Sequence, residues 1–363
     1  MTEWRIGEVP QSERVKVLAE REIRAFTDSP ALNDLMTGQF GYTPLEGNPT
    51  FGEQLKHKFA FAKNGWQWNK DGQERNQAPK IELSDEQRRA IIGDDENPGA
   101  ASELGMVEAS KAQKERYDAK IHLGGQARHP LWRAVHGKED GGKAPQVFLL
   151  GSEATFKKEA LQTAQKKDQD AGTEVDPRVA AYDKIALSDE AKTEFDLQIA
   201  AAEVVYGQLQ ADGTYKMPDT YEATDQQTEA GKVREYRYTG DGDPLENPNI
   251  YVVSAVNRED ASNPRVTSGD QYALVVDLLA PEAKSVLTVT GSNFSRFQKF
   301  DALRTLTLEH DLEVETIGFS NKKPPLCDIP TVFHTADAYL KEVYSALTGA
   351  DAFYEAVGSS SSK

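Results

Sequence analysis

Apolar residues near the start of the chain recur at helical spacing. Val15, Leu18, Ala19, Ile23 and Phe26 share one face and charged residues fill the other, which predicts an amphipathic helix. Ser29-Pro30 sets a capping residue before a proline at a first helical position, so a second, short helix begins there. Residues 38–79 are rich in Gly, Asn, Gln and aromatics and show no sustained period. Ser84 and Gln87 have capping-box spacing at the head of a helix through Ile91-Ile92, and a further polar helix is expected over 101–118. The pattern then changes. Apolar, β-branched runs at 119–123, 146–150, 250–256, 285–290 and 312–317 read as strands. Helical faces separate the later ones: Tyr272, Val275, Val276 and Leu279, then Phe297, Phe300, Leu303 and Leu306. Parallel strands need crossover connections, so the alternation predicts an α/β protein with a predominantly parallel sheet covered by helices.

This reading divides the chain into a mainly helical N-terminal region (1–116), an α/β domain (117–330), a C-terminal helix (331–357) and a frayed tail (358–363). The C-terminal helix, capped by Thr335, is expected to pack on the α/β domain through Leu340, Val343, Tyr344 and Leu347. An insertion at 165–248 interrupts the strand–helix rhythm. It holds a helix with Phe195, Ile199, Ala202 and Tyr206 on one face, and then a long irregular excursion at 210–248 that reads as a lid or an interaction surface.

Charge narrows the choice of partners. The chain has 363 residues, with 42 Lys and Arg against 59 Asp and Glu, for a net charge of −17. Such a surface repels nucleic acids and anionic membranes, so neither is expected as a partner. Cys327 is the single cysteine, so neither an internal disulfide nor a multi-cysteine zinc site can form. Met1 to Ile6 lack the apolar core of a secretory leader, and no run approaches the ~20 apolar residues of a membrane span. The expectation is a cytoplasmic protein.

In open parallel sheets ligands bind beyond the carboxyl ends of the strands. Four loops meet that condition: Gly124-Gly125-Gln126-Ala127-Arg128, Gly151-Ser152-Glu153, residues 257–267 with Arg258, Arg265 and Thr267, and Thr290-Gly291-Ser292-Asn293. Glycines admit a ligand close to backbone amides, and helix-start amides favour anions. Arg128, Arg258, Arg265 and Arg296 add guanidinium forks suited to phosphate or carboxylate. The competing explanation is plain: Gly and Ser end strands, and arginines pair with nearby carboxylates. Glu153 is a candidate acid or base, or an ion-pair partner. His122, His129 and His136 recur every seventh residue, but Gly and Pro between them spoil a continuous helix and no fourth ligand is organised, so no metal is expected. Asp241-Gly242-Asp243 reads as an acidic turn rather than a cation site. Phe59, Phe61, Trp66 and Trp68 suit base stacking or, equally, alternating strand packing. No Walker loop, Gly-x-Gly-x-x-Gly, Gly-x-Ser-x-Gly or His-Glu-x-x-His occurs, so the sequence names no cofactor and offers no support for an NTPase, a typical dinucleotide oxidoreductase, a serine hydrolase or a zincin.

A longer order of motifs stands out. Leu123-Gly124-Gly125 is followed by Leu150-Gly151-Ser152, then an acid with Asn263-Pro264-Arg265-Val266-Thr267, then Val289-Thr290-Gly291-Ser292-Asn293-Phe294-Ser295-Arg296. Over residues 117–320 this resembles the SanA/ElyC/YdcF-like family, long labelled a domain of unknown function. Its members show Leu-Gly-Gly at one strand end, Ser-Gly-Gly followed by Glu at another, an Asn-Thr element, and Val-Thr-Ser before an aromatic and an Arg. Here Ser152 stands where the family has Gly, the family's Glu corresponds to Glu153 or Glu159, the acid to Glu259 or Asp260, and the 165–248 insertion is far longer than the usual connection. Several members carry a membrane anchor that this chain lacks, so an envelope role does not carry over. The resemblance implies a Rossmann-like sheet and a small-ligand pocket of nucleotide-like character. The resulting expectation is a protein that senses or acts on a phosphorylated or nucleotide-like metabolite, as a transferase or hydrolase if it is an enzyme. The alternative is a noncatalytic module that binds another protein through its insertion or N-terminal region.

Overall fold

The computed structural model describes residues 11–67, 80–94, 97–258, 266–331 and 333–360. Two compact units share the chain. One collects Met1–Val107, Asn293–Asp311 and Val332–Lys363; the other is Glu108–Ser292 with Leu312–Thr331. Among the described residues, no helix is long and apolar enough to cross a membrane.

In chain order the first unit opens with α1 (Gln11–Thr27), α2 (Pro30–Asp34), α3 (Phe51–Trp66), α4 (Asp85–Ile92) and α5 (Ala100–Glu103). The second unit follows with β1 (Ala119–His122), α6 (His129–Glu139), β2 (Gln146–Leu150), α7 (Lys158–Asp170), α8 (Pro177–Ala186) and α9 (Glu194–Tyr206). It continues through β3 (Gln208–Leu209), β4 (Tyr215–Lys216), β5 (Tyr221–Gln227), β6 (Gly231–Tyr238), β7 (Asn249–Ala255), α10 (Ser268–Leu278) and β8 (Ser285–Gly291). The chain then returns to the first unit for α11 (Ser295–Ala302), which runs through a π-helical turn at Leu303–Thr307 into α12 (Leu308–His310). The second unit's β9 (Glu313–Phe319) comes next, and α13 (Ala336–Ser360) ends the first unit.

The first unit is helical, and its long α13 packs against α1, α3 and α11. Ile23, Leu32, Leu55, Phe300, Leu340 and Phe353 are buried there. Local chemistry starts the helices as the sequence implies. Ser84 and Gln87 exchange capping-box bonds of 3.1 and 3.0 Å, and Thr335 Oγ1 accepts from the Ala338 amide at 3.2 Å. Residues 51–66, which show no sequence period, form α3 behind a second capping box at Thr50 and Glu53. Phe61 and Trp66 therefore pack edge to face from a helix, 5.9 Å apart, and not from a strand; Trp68 lies outside the described residues. The C-terminal helix also differs from expectation, because it belongs to the helical unit and not to the α/β unit. An apolar stripe says that a face is buried and leaves its partner open.

The second unit is built on a seven-stranded sheet of order β5-β6-β7-β2-β1-β8-β9. The five strands from β7 to β9 are parallel. β1 is central, and Ala119 pairs with Gln146 on one side and Val286 on the other. These strands are rich in apolar residues because helices cover them: α6 packs on β1, β8 and β9, α9 on β2 and β7, and α10 on β7. The region 210–248 is not the expected irregular excursion. β5 and β6 form an antiparallel hairpin that extends the sheet beyond β7. β6 carries buried Val233 and Tyr236, whereas six of the seven residues of β5 are exposed. A strand bathed on both faces has no hydrophobic alternation to read. Its register is held instead by a cross-strand pair: Arg234 grips Asp225 with two bonds of 2.7 Å.

Candidate functional site

The carboxyl ends of β1, β2, β7 and β8 gather an unusual set of buried polar side chains, three of them delivered by helices. Arg133 rises from α6 and donates through Nη1 to the Leu123 carbonyl at 2.8 Å. Gln198, from α9, donates to the Leu150 carbonyl at 2.7 Å and more weakly to that of Leu123 at 3.4 Å. Gln271, from α10, donates to the Gly151 carbonyl at 2.9 Å. Each of these groups satisfies a strand-end carbonyl that a crossover helix would otherwise leave bare. Each also keeps one buried atom with no protein hydrogen-bond partner: Arg133 Nε, Gln198 Oε1 and Gln271 Oε1. Thr290 Oγ1 at the end of β8 and Ser254 Oγ near the end of β7 are in the same condition.

The glycines here make room. A Cβ on Gly124 would lie 2.8 Å from the Leu150 carbonyl oxygen, and one on Gly125 would lie 2.9 Å from Arg133 Nη1. Any larger residue would push the guanidinium away from the loop. In the next loop Ser152 Oγ donates to Glu194 Oε2 at 2.7 Å and accepts from the Ala154 amide at 3.3 Å. Gln126 reaches the other oxygen of Glu194 at 3.4 Å. Ser292 Oγ accepts from Asn321 Nδ2 at 3.2 Å.

Electrostatics single out Arg133. The residue is 5% exposed, and burial pulls its pKa down to about 10, with Glu194 and Tyr272 opposing the fall. Glu194 acts on it electrostatically, but Nε keeps no hydrogen-bond partner. Burying a charge that is not fully hydrogen-bonded is expensive, so such groups mark places where something else completes the site.

Arg128 has the opposite arrangement. It is as buried as Arg133, but Nε and Nη2 bind Asp183 at 3.0 and 2.6 Å and Nη1 meets Asp168 at 2.6 Å. Its fork is fully engaged by two carboxylates, which tie α7 and α8 to the loop ahead of α6. Thr267 is the N-cap of α10, exchanging bonds with Asp270 at 3.2 and 2.9 Å. Arg258 is exposed, with its amide 3.4 Å from Asp270 Oδ1. Glu153 faces solvent, 3.6 Å from Lys232. Arg265, Glu259 and Asp260 lie outside the described residues. Asn293 and Arg296 belong to the helical unit, where Arg296 Nε donates to the Leu104 carbonyl at 3.0 Å. The structure thus draws together Gly124, Gly125, Gln126, Gly151, Ser152, Thr290 and Ser292 from the expected set. It adds Arg133, Glu194, Gln198 and Gln271, which sequence reasoning missed. For Arg133 and Gln198 the one signal was a lone polar residue inside an apolar helical run, as Arg133 is between Trp132 and Ala134.

The three evenly spaced histidines each serve the backbone. His122 Nδ1 donates to the Arg133 carbonyl at 3.0 Å, His129 Nδ1 to that of Gln126 at 2.9 Å, and His136 Nε2 to that of Ser110 at 3.0 Å. Burial lowers His122 to about 3 and His129 to about 4, so both rings are neutral near pH 7.

No family model matches the chain, and no solved structure matches it either. The chain is similar to an uncharacterized protein of Mycobacterium tuberculosis strain H37Rv, 28% identical over 243 residues. The same identity and span hold for uncharacterized proteins of Mycobacterium tuberculosis strain CDC 1551 and of Mycobacterium bovis. In each case the similarity covers 66% of this chain and 59% of the relative, so the chain spans well under two thirds of the relatives it matches.

Proposed function

We propose that the strand-end cluster of the α/β unit binds a phosphorylated or nucleotide-like metabolite and acts on it as a transferase or hydrolase. The observation that carries this reading is the buried Arg133 guanidinium, whose Nε has no protein hydrogen-bond partner. A phosphate there would accept charge-assisted hydrogen bonds and return the counter-charge that burial withholds. Gln198 Oε1 and Gln271 Oε1 add acceptors for sugar or base donors. The Ser152–Glu194 pair supports chemistry as well as binding, because a carboxylate that accepts the hydroxyl's hydrogen bond is placed to take its proton as a base.

The order of the five parallel strands supports a Rossmann-like reading. Counted in chain order they lie third-second-first-fourth-fifth, with the switch of direction between β1 and β8. That crevice, with Gly124-Gly125 on one side and Thr290 on the other, is where such sheets hold ligands, and it also supports the resemblance to the SanA/ElyC/YdcF-like family. One free thiol at Cys327 accords with a cytoplasmic setting.

Calorimetric titration with nucleoside monophosphates, nucleoside diphosphates and sugar phosphates tests the proposal. At least one should bind the wild-type protein, and Arg133→Gln should weaken it by about 10–100-fold, the worth of a hydrogen bond to a charged group. Ser152→Ala should bind normally and fail to turn the ligand over. Equal affinity for the dephosphorylated compound, or an Arg133→Gln variant that binds as well as wild type, would remove the phosphate from the reading.

A further inference from the structure

A cavity of about 450 Å³ opens at the amino ends of β1, β2 and β7, the opposite end of these strands from the buried polar cluster. Lys120 enters it from β1 and Lys138 from the last turn of α6, while Tyr206 at the end of α9 and Tyr221 at the start of β5 supply aromatic walls. Lys120 Nζ donates to the carbonyls of Gly137 and Gly142, both at 2.9 Å. Lys138 Nζ donates to the Val205 carbonyl at 2.6 Å and lies 5.2 Å from the centre of the Tyr206 ring. Capping carbonyls at the ends of α6 and α9 explains why lysines stand here. It does not exhaust them. An ammonium has three donors, of which Lys120 uses two on these carbonyls and Lys138 one.

Tyr206 hydroxyl is buried with no protein hydrogen-bond partner. Glu246, the acid that lines the cavity, is taken by Lys143. Glu139, within electrostatic reach of Lys138, is held by Arg178 at 3.3 Å. Burial moves both amines in the direction expected of ammonium groups lacking a counter-ion. Lys120 falls to about 8, with Lys138 as its charged neighbour, and Lys138 also falls below its usual value.

We propose that this cavity is a second ligand site that takes a small organic carboxylate, with its oxygens on Lys120, Lys138 and Tyr206 and its body along Tyr221 and Leu245. The volume lies within the range of small-molecule pockets, and the lining is mostly polar, as suits a charged ligand. A ligand here does not compete with one at the strand-end cluster, so the two proposals stand or fall separately.

Titration calorimetry of the full chain with succinate, malate, citrate, benzoate and, as a contrast, inorganic phosphate tests this site. At least one carboxylate should bind. Tyr206→Phe, which removes a single oxygen atom, should weaken it about tenfold, and Lys138→Gln about 10–100-fold. Arg133→Met should leave carboxylate binding unchanged. Melting curves establish that each variant is folded, and Tyr206→Phe carries the test if Lys138→Gln is not. Absence of carboxylate binding, binding by phosphate alone, or a carboxylate indifferent to Tyr206→Phe would overturn the proposal.

Discussion

Arg133 donates through Nη1 to the carbonyl oxygen of Leu123 at 2.8 Å, and this bond anchors a buried guanidinium at the end of the central strand. The same carbonyl also receives Gln198 Nε2 at 3.4 Å. Removing Arg133 therefore exposes no unpaired carboxylate and leaves Leu123 with one donor. Arg133→Met should change the denaturant stability of the free protein by only about 1–2 kcal/mol, the range for one hydrogen bond offset by relief of an incompletely compensated charge. A loss of 4 kcal/mol or more, read from urea midpoints at constant slope, would make Arg133 a structural residue (roughly the scale of a broken buried ion pair).

Arg128 should behave in the opposite way, although the two side chains are equally buried. Arg128→Met strands Asp168 and Asp183, which face each other's charge at 6% and 3% side-chain exposure. A cost of about 3–5 kcal/mol is expected, and Arg128→Lys should recover only part of it because an ammonium lacks the fork. Phosphate-ligand affinity in whatever fraction stays folded should be unchanged. Intact stability with lost affinity would return Arg128 to the binding site.

Acid should act through His122. The folded ring sits near pKa 3 against an ordinary 6.5, held neutral by burial and by the neighbouring charges of Lys120, His136 and Arg133. Below pH 6.5 the unfolded chain binds the proton and the folded one does not. Stability is therefore complete above that pH and drains away as the pH falls towards 3. Between pH 6.5 and 4.5, wild type should lose about 2–3 kcal/mol more than His122→Asn, whose amide can still donate to the Arg133 carbonyl. Parallel pH profiles for the two proteins would show that another group sets the acid limb.

The hairpin of β5 and β6 should be ordered rather than lid-like. β6 is hydrogen-bonded on both sides, by β5 and by β7, and Tyr236 is buried with its hydroxyl donating to Glu203 at 3.1 Å. Hydrogen exchange should be slow along β6, comparable to β2, and faster at the outward amides of β5. Tyr236→Ala should cost about 3–5 kcal/mol, as for a buried aromatic. Exchange along β6 as fast as in the loop at 240–247 would restore the picture of a mobile insertion.

Some of this was readable in the chain alone. All five parallel strands fall within two residues of the apolar runs that predict them. The reason is that a strand covered on both faces is rich in apolar residues along its length, which is a property of consecutive residues even where β1 also buries Lys120 and His122. The capping box at Ser84 is equally local, since its partner stands three residues away. The strand-end rule also led to Gly124, Gly151, Ser152 and Thr290, because turns at strand ends leave Gly and Ser behind. Tertiary structure alone decided the rest. Arg128 and Arg133 look alike in sequence, and only the arrival of Asp183, 55 positions along, distinguishes a locked guanidinium from an unpaired one. Gln198 and Gln271 gain their meaning from carbonyls 48 and 120 positions away. The faces of α11 and α13 declare that they are buried, but the unit that buries them is set by long-range packing. β5, polar on both sides, becomes a strand because β6 offers it an edge. Burial writes itself into neighbouring residues; the choice of partner, and with it the charge around a side chain, depends on groups that only the fold brings together.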